Sequence, residues 1–355
     1  MTGVRWLVSL IGNLLALTAA FGLLARYVPP QVFWPPAIVA LLLPGLLVLT
    51  ALYALLALFW RRWLSALLPL AVILFAVPVL DQLFAWPGEE EAAPGGPTVT
   101  LVTGNQRLFR SYDAHDVDPD RVSRVFQDYG ADVVLLQEVR PPKNRLSFIP
   151  SIQTAEQLRE RHQKEGTLIA TYGADLEPVT ASFSEPNEYN GYIVTDVQTE
   201  IGTLRVINAH LESNQISGMA DNMQEDGSYR NRLETFGRML TGYGRTSRLR
   251  AQQAEQIRTA VETSPHPVVL GGDFNDVPSS YTYNQILSPR LRDAWVSRGR
   301  GLGATFTGPL PGLRIDYFMV DTSLRVEHIE RLSPNWSDHR PLRMVIGKRA
   351  ETTGE

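Results

Sequence analysis

The 355-residue chain contains no cysteine. That absence excludes disulfides, thiolate metal sites and a cysteine nucleophile. Histidine is scarce at six, and no HExxH pair is present to seat zinc. No GxxxxGK[ST] loop occurs, which excludes a P-loop nucleotide hydrolase, and no GxSxG elbow supports a serine esterase. Charge is missing only locally. Up to Pro87 the ionised side chains are Arg5, Arg26, Arg61, Arg62 and Asp81. Of 33 Lys+Arg and 37 Asp+Glu, four and one fall in that first stretch, so the remainder carries a net charge of −7.

What fills the uncharged part is apolar. Three runs, 6–25, 37–60 and 63–80, each approach the roughly 20 residues a helix needs to cross a bilayer. Asn13 is their most polar interior residue, and Pro44, Pro69 and Pro78 are tolerated better in spans than in soluble helices. Trp6, Trp34, Trp60, Trp63 and Trp86 fall at or near run ends, where indoles favour the interface. A cleaved signal peptide would account for the first run but not the next two. The expectation is a membrane anchor over 1–86 that meets the lipid bilayer through three helices. "FWRRW" at 59–63 holds the densest positive cluster and belongs on the cytoplasmic side. Three spans then place the rest of the chain outside the cytoplasm, as the exposed part of a cell (inner) membrane protein. "PGEEEAAPGGP" at 87–97 reads as a linker by composition, and 349–355 as a disordered tail.

From 98 to 348 short apolar strands alternate with turns and a few helices. Strands are expected over 98–105, 132–139, 167–173, 192–197, 203–211, 267–275, 314–320 and 339–346. Asp118 caps a helix that opens on Pro119, places Val122, Val125, Phe126 and Tyr129 on one face and stops at Gly130. A second helix is expected over 247–263. About eight strands with few helices point to two packed sheets flanked by helices.

Polar residues recur at the ends of these strands: Asn105, Glu138, Asn208 with His210, Asp273 with Asn275, Asp316, and Asp338 with His339. Each has an ordinary reading alone, such as a solvated strand end or a turn after "GG" at 271–272. Together they occupy strand termini of one domain, where sites of layered α/β proteins gather. The donors are carboxylates, carboxamides and histidines, which suit Mg²⁺ or Mn²⁺.

"LLQEV", "NAHLES", "GGDFNDVP", "RIDYFMV" and "SDHRPL", in that order, resemble the endonuclease/exonuclease/phosphatase superfamily. That group contains DNase I-like nucleases, abasic-site endonucleases, inositol-phosphate phosphatases and neutral sphingomyelinases. The resemblance covers residues 98–347, and the arrangement is similar to bacterial members with three N-terminal spans. It implies an α+β, DNase I-like, four-layer sandwich and a metal-assisted attack of water on a phosphoester. It further implies that Glu138 is the principal Mg²⁺ ligand (Mn²⁺ as the alternative), that Asn105 supports that shell and that Asp338 lies near the metal. Asp273 would orient or deprotonate water, and Asn275 would hold a phosphate oxygen. His339, paired with Asp316, would contact the phosphate, and His210 would be the acid for the leaving oxygen. The first strand departs from the pattern, with Gly104 and Gln106 flanking Asn105 where the family has an aromatic or small residue and then an apolar one.

The substrate is read only as a class, either nucleic acid or a phospholipid or small phosphoester. A net charge of −7 gives no general attraction to nucleic acid, although Arg245, Arg248 and Arg250 cluster. Residues 214–248, with Met219, Met223 and Met239 and helical spacing at Leu233, Phe236 and Leu240, form either a packed amphipathic helix or an apolar lid. The opposing expectation is a membrane-tethered binding module that keeps the fold without the chemistry.

Overall fold

The computed structural model describes residues 2–86, 95–109, 117–139, 151–154, 169–182, 190–213, 229–308, 312–333 and 336–349. Most of the expected linker, the expected tail after Arg349 and Met219 and Met223 lie outside these residues.

The first 83 residues form helices: α1 (Thr2–Leu23) with a 3₁₀ turn to Arg26, α2 (Pro35–Ala40), α3 (Leu43–Phe59) and α4 (Trp63–Leu83). α1, α3 and α4 share an apolar seam that includes Ala16, Ala19, Leu43, Leu47, Val72 and Ala76. Gly12 lets α1 approach α3, since a Cβ there would lie 2.3 Å from the Tyr53 ring. The outward faces are also apolar, with Leu64 and Phe75 85% and 77% exposed. The three expected spans are corrected to two helices of sufficient length and apolarity, Gly3–Arg26 and Trp63–Leu83. The middle run breaks at Leu41 and Leu42, leaving α3 at 17 residues. Bilayer contact through three helices is therefore not supported.

The remainder contains β1 (Thr98–Asn105), α5 (Pro119–Asp128), β2 (Val133–Gln137), β3 (Ser151–Thr154), β4 (Ile169–Gly173), β5 (Leu176–Ser182), β6 (Gly191–Thr199) and β7 (Gly202–His210). It continues with α6 (Tyr229–Glu262), β8 (Val268–Asp273), α7 (Tyr281–Ile286), β9 (Leu291–Asp293), α8 (Ala294–Arg298), β10 (Asp316–Asp321), β11 (Leu324–Arg331) and β12 (Leu342–Lys348). These strands form two six-stranded sheets, β11-β12-β1-β2-β4-β3 and β5-β6-β7-β8-β10-β9. Side chains alternate across each strand. Leu101, Leu135, Val269 and Phe318 fill the space between the sheets. Val102, Val134 and Leu136 turn the other way onto Val122 and Phe126 of α5. Ile207 and Leu270 pack on Ala254, Ile257 and Val261 of α6. Helix, sheet, sheet and helix make the four expected layers.

Asp118 caps α5 by accepting from the Asp120 amide at 3.0 Å, as read from sequence. The helix expected over 247–263 begins earlier, at Tyr229. Its extra turns dock on the N-terminal helices: the Tyr243 hydroxyl donates to Ala37 O at 3.1 Å, and Gly244 presses on the Trp34 ring. Residues 229–248 are thus helix, as the amphipathic reading expected. The "GG" turn is also corrected: Gly271 and Gly272 lie inside β8. A Cβ at Gly271 would meet Leu135 of the opposite sheet at 2.7 Å. Gly272 has φ +149°, and a Cβ there would fall 1.9 Å from the Ala209 carbonyl oxygen. The glycines serve close approach of sheets and strands, not chain reversal.

Candidate active site

Both sheets deliver strand ends to one edge. β1 and β2 run parallel with Asn105 opposite Gln137, so Asn105 and Glu138 leave the first sheet side by side. In the second sheet β7 and β8 run parallel with His210 opposite Asp273, and antiparallel β10 starts with Asp316 opposite Asp273. Residues 337–339 enter this edge just before β12.

Asp273 is buried at the centre. Its Oδ1 accepts the Asn275 amide at 2.8 Å, and its Oδ2 accepts Asn105 Nδ2 at 3.1 Å and Asn275 Nδ2 at 3.3 Å. Burial raises its pKa, the nearby His339 charge lowers it and Asp316 raises it, and the balance settles at about 6. Asn105 Nδ2 also donates to Glu138 Oε1 at 3.0 Å, so one carboxamide ties two carboxylates from different sheets. Asn275 Nδ2 additionally donates to Leu211 O at 3.0 Å.

His339 Nδ1 donates to the Asp316 carboxylate at 2.9 and 3.1 Å. Burial disfavours the imidazolium, but Asp316 and Asp273 outweigh it and lift the pKa to about 10. The free edge of the ring, Nε2, lies 3.8 Å from Asp273 Oδ2. Phe306 meets the ring edge-on at 5.3 Å.

His210 is 2% exposed, and neither ring nitrogen has a hydrogen-bond partner among the described residues. Its Nε2 lies 3.9 Å from Glu138 Oε1 and 3.8 Å from Asp273 Oδ2. A buried imidazole with no hydrogen-bond partner among the described residues, its Nε2 near two carboxylates, is a candidate contact for a ligand. Asp338 is half-buried beside His339, whose charge it favours. Its backbone carbonyl accepts the Thr307 amide and hydroxyl, each at 2.8 Å.

Glu138 and Asn275 have φ of +50° and +51°, and Arg107, Leu108 and Phe109 follow Asn105 at +47° to +57°. Left-handed backbone at non-glycine residues is costly and gathers at functional sites. Arg61 is the one other such residue among those described.

A hard divalent ion fits this donor set. Glu138 keeps a 31% exposed carboxylate at the mouth, Asn105 stands beside it, and the orphaned His210 marks the gap. Asp273, Asp316 and His339 also bring one ligand-type atom each within 4.8 Å of one another. There the His339–Asp316 hydrogen bond already uses Nδ1, and an imidazolium is a poor ligand.

Several supporting residues were not assigned from sequence. The Ser337 hydroxyl donates to Asn105 O at 2.8 Å and accepts the His339 amide at 3.0 Å. The Thr305 hydroxyl accepts the Ile315 and Asp316 amides. Ser337 stands within the quoted "SDHRPL", but its role depends on a partner 232 positions away. The departures around Asn105 have local causes. A Cβ at Gly104 would meet Pro341 at 2.8 Å, and Gln106 accepts the Trp336 indole N–H at 2.9 Å. Asn208 lies beneath the site, accepting from Gln137 Nε2 at 2.6 Å and donating to Ala170 O at 2.9 Å.

A model of the Endonuclease/Exonuclease/phosphatase family matches residues 105–339. A model of a domain of unknown function (DUF8431) matches residues 5–83. No curated protein matches. Among solved structures, humanized D. rerio TDP2 is 14% identical, with 71% of this chain and 99% of that one covered, at a TM-score of 0.47. An endonuclease/exonuclease/phosphatase from Beutenbergia cavernae is 20% identical, covering 71% and 72%, at 0.46. Beta toxin from Staphylococcus aureus is 15% identical, covering 69% and 99%, at 0.47. The match spans the strands that carry Asn105 through His339, and the chain belongs to the Endonuclease/Exonuclease/phosphatase family of hydrolases that act on phosphoester bonds.

Proposed function

We propose that the protein is a membrane-anchored, Mg²⁺-dependent hydrolase of phosphodiester or phosphomonoester bonds. The observation that carries this reading is the fully buried Asp273 carboxylate, held by Asn105 of the Glu138–Asn105 pair on one side and 3.8 Å from Nε2 of the Asp316-paired His339 on the other. A bound Mg²⁺ would be held by Glu138 and Asn105, with Asp338 assigned nearby, and would neutralise phosphate charge. Asp273 is a carboxylate at neutral pH and basic enough to take a proton from water. His339 holds its proton across the same range and offers Nε2–H to a phosphate oxygen, while Asp316 fixes the tautomer. Asn275 holds Asp273 in place and, on rotating its amide away from Leu211 O, holds a phosphate oxygen. His210 would be the acid for the leaving oxygen.

Anchoring is assigned to α1 and α4, because their outward faces are apolar and a helix apolar all round belongs in lipid or in a large core. Arg5, Arg61 and Arg62 gather at one end of the helical unit, and Arg62 donates to Arg5 O at 2.6 Å. The catalytic domain docks at the other end, so positive charge assigns it to the extracytoplasmic side of the cell (inner) membrane. Substrates remain a phospholipid or small phosphoester or nucleic acid, with the net charge of −7 after residue 87 disfavouring the last.

The test is a Mg²⁺-dependence screen of the full chain in detergent against DNA, RNA, sphingomyelin, phosphoinositides and a soluble nitrophenyl phosphodiester. No metal-dependent hydrolysis of any of these would overturn the proposal. Alkaline phosphatase and green fluorescent protein, fused separately after Gly96, test the topology. Fluorescence without phosphatase activity would reverse it.

A further inference from the structure

A second polar cleft lies between α8 and β11. It measures about 590 Å³ and is lined by Trp295, Arg298, Arg300, Arg331 and Arg340, together with the β11 surface. The acidic groups in its wall are already matched: Glu327 pairs with Arg325, and Glu330 with Arg343 at 3.2 Å. The four lining arginines have no carboxylate partner among the described residues. Arg298 Nε donates to Glu327 O at 3.3 Å and Arg331 Nη1 to Ala304 O at 2.7 Å, which fixes each guanidinium without neutralising it. Arg331 also lies over the Trp295 ring, 5.4 Å from its centroid. Partial burial and the charge of Arg340 both lower the pKa of Arg331, the mark of cations crowded without an anion.

The position of the cleft selects the anion. Gly301, next to Arg300, exchanges backbone hydrogen bonds with Ala85, 3.0 Å in each direction. Ala85 lies two residues beyond the end of α4. Phe84 and Trp86 pack ring to ring at 4.7 Å, and Trp86 is 65% exposed, as is usual for an indole at a membrane interface. Leu302 is a further exposed apolar residue on the same loop. If α4 lies in the bilayer, the arginine wall stands at headgroup depth. Basic groups there are attracted to an anionic lipid surface.

We infer that this cleft is a headgroup site for anionic phospholipid, and that lipid held there fixes the catalytic domain against the membrane. The inference rests on the anchoring part of the proposed function. It does not involve the hydrolytic residues, although Arg340 follows His339 directly and links the cleft wall to the catalytic edge.

The full chain in neutral detergent, without divalent metal, is titrated calorimetrically with dioctanoylphosphatidylglycerol, dioctanoylphosphatidylcholine and inorganic phosphate. Wild type should bind the phosphatidylglycerol at least tenfold more tightly than either of the others. Arg298→Gln with Arg300→Gln should remove that preference, and Arg300→Lys should keep most of it. Asp273→Asn should bind as wild type does, which separates the cleft from the catalytic site. Should the double variant melt early, Arg300→Gln alone decides, since that side chain is exposed. Equal binding of both lipids, or an undiminished preference in the glutamine variants, overturns the inference. So does phosphate binding as tightly as phosphatidylglycerol, which would make this a free-phosphate site, or stronger competition by an oligothymidylate, which would make it a nucleic-acid groove. Flotation with vesicles separates the two readings. A wild type that fails to float removes the anchoring reading and this inference with it, whereas one that floats without lipid preference removes this inference alone.

Discussion

Asp316→Asn isolates the pairing that sets the charge of His339. The substitution keeps size and an acceptor for Nδ1–H, but removes the anion 2.9 Å away. Burial alone would push the imidazole below its ordinary 6.5, and the carboxylates lift it to about 10. Asp316 is the largest of the carboxylates that lift it, and Asp273 and Asp338 stay in place, so a full return to 6.5, worth ~5 kcal/mol at about 1.4 kcal/mol per pH unit, is the upper bound of the change. The sign follows directly: a raised pKa keeps the proton at neutral pH, and lowering it releases the proton as pH rises. At pH 8 wild-type His339 is almost wholly protonated, whereas at that bound about 3% of the variant would be, so the rate should fall by up to about 30-fold. Near pH 6 about three-quarters of the variant imidazole would be protonated even at that bound, so the loss should nearly vanish. The assay is a pH–rate profile on the best soluble phosphodiester, with the histidine titration followed by NMR and thermal melts showing each protein folded. An alkaline limb that stays near pH 10 in the variant would refute the assigned role of the pair.

Asp273→Asn should cost at least about 10²-fold in rate, the scale of general-base groups. In wild type, activity should fall as pH drops through about 6, where Asp273 gains its proton; an acid limb near pH 4 would point to another base. Glu138→Gln should lower Mg²⁺ affinity and rate together while melting normally, and an unchanged calorimetric metal titration would remove Glu138 from the ion site. Asp276→Asn should behave differently from all of these. Asp276 pairs with the fully buried Arg250 at 3.1 Å, so the variant should lose about 3 kcal/mol of stability, the low end for a broken buried pair. Its activity per folded molecule should stay within a few-fold, and a rate loss matching Asp273→Asn would place Asp276 in the chemistry.

The legible parts of the sequence were those with a local signal. β1 was read to the residue because "TVTLVTGN" alternates and stops at an asparagine, and α5 because Asp118-Pro119 and Gly130 bracket it. β9 is three residues long, and β11 is the edge strand of its sheet, where the bulge between Val326 and His328 breaks the short alternation of Leu324 and Val326, so neither carries a sustained period. The glycines of β8 were visible but misassigned. Gly-Gly ordinarily signals a turn, whereas here the reason for glycine lies in Leu135 and Ala209, on other strands. The same holds for Asp276, which reads as a solvated loop residue until Arg250 of α6 is seen beside it. Docking of the helical unit on the catalytic domain was wholly hidden. It rests on pairs such as Arg314 Nη2 with Gln82 O at 2.6 Å, 232 positions apart, and Ser279 Oγ with Ala40 O at 3.2 Å, 239 apart.

The two sheets repeat one plan, and the repeat explains why these particular side chains meet. Reading inward from one edge, β11-β12-β1-β2-β4-β3 corresponds to β9-β10-β8-β7-β6-β5, with a single parallel pair at the centre of each, β1 with β2 and β8 with β7. Under that correspondence the end of β1 matches the end of β8, the end of β2 matches that of β7, and the approach to β12 matches the start of β10. The contacts of the site follow these matches. Asn105 meets Asp273 at 3.1 Å, Glu138 faces His210 at 3.9 Å, and His339 meets Asp316 at 2.9 Å. Each pair takes one member from each sheet, so the site exists only while the two sheets are packed face to face. Gly271 sits in that packing with Leu135 opposite, which makes the spacing between sheets a determinant of the catalytic distances. A substitution that spreads the sheets by even one methyl group should therefore loosen all three contacts at once, because core packing transmits strain rather than absorbing it.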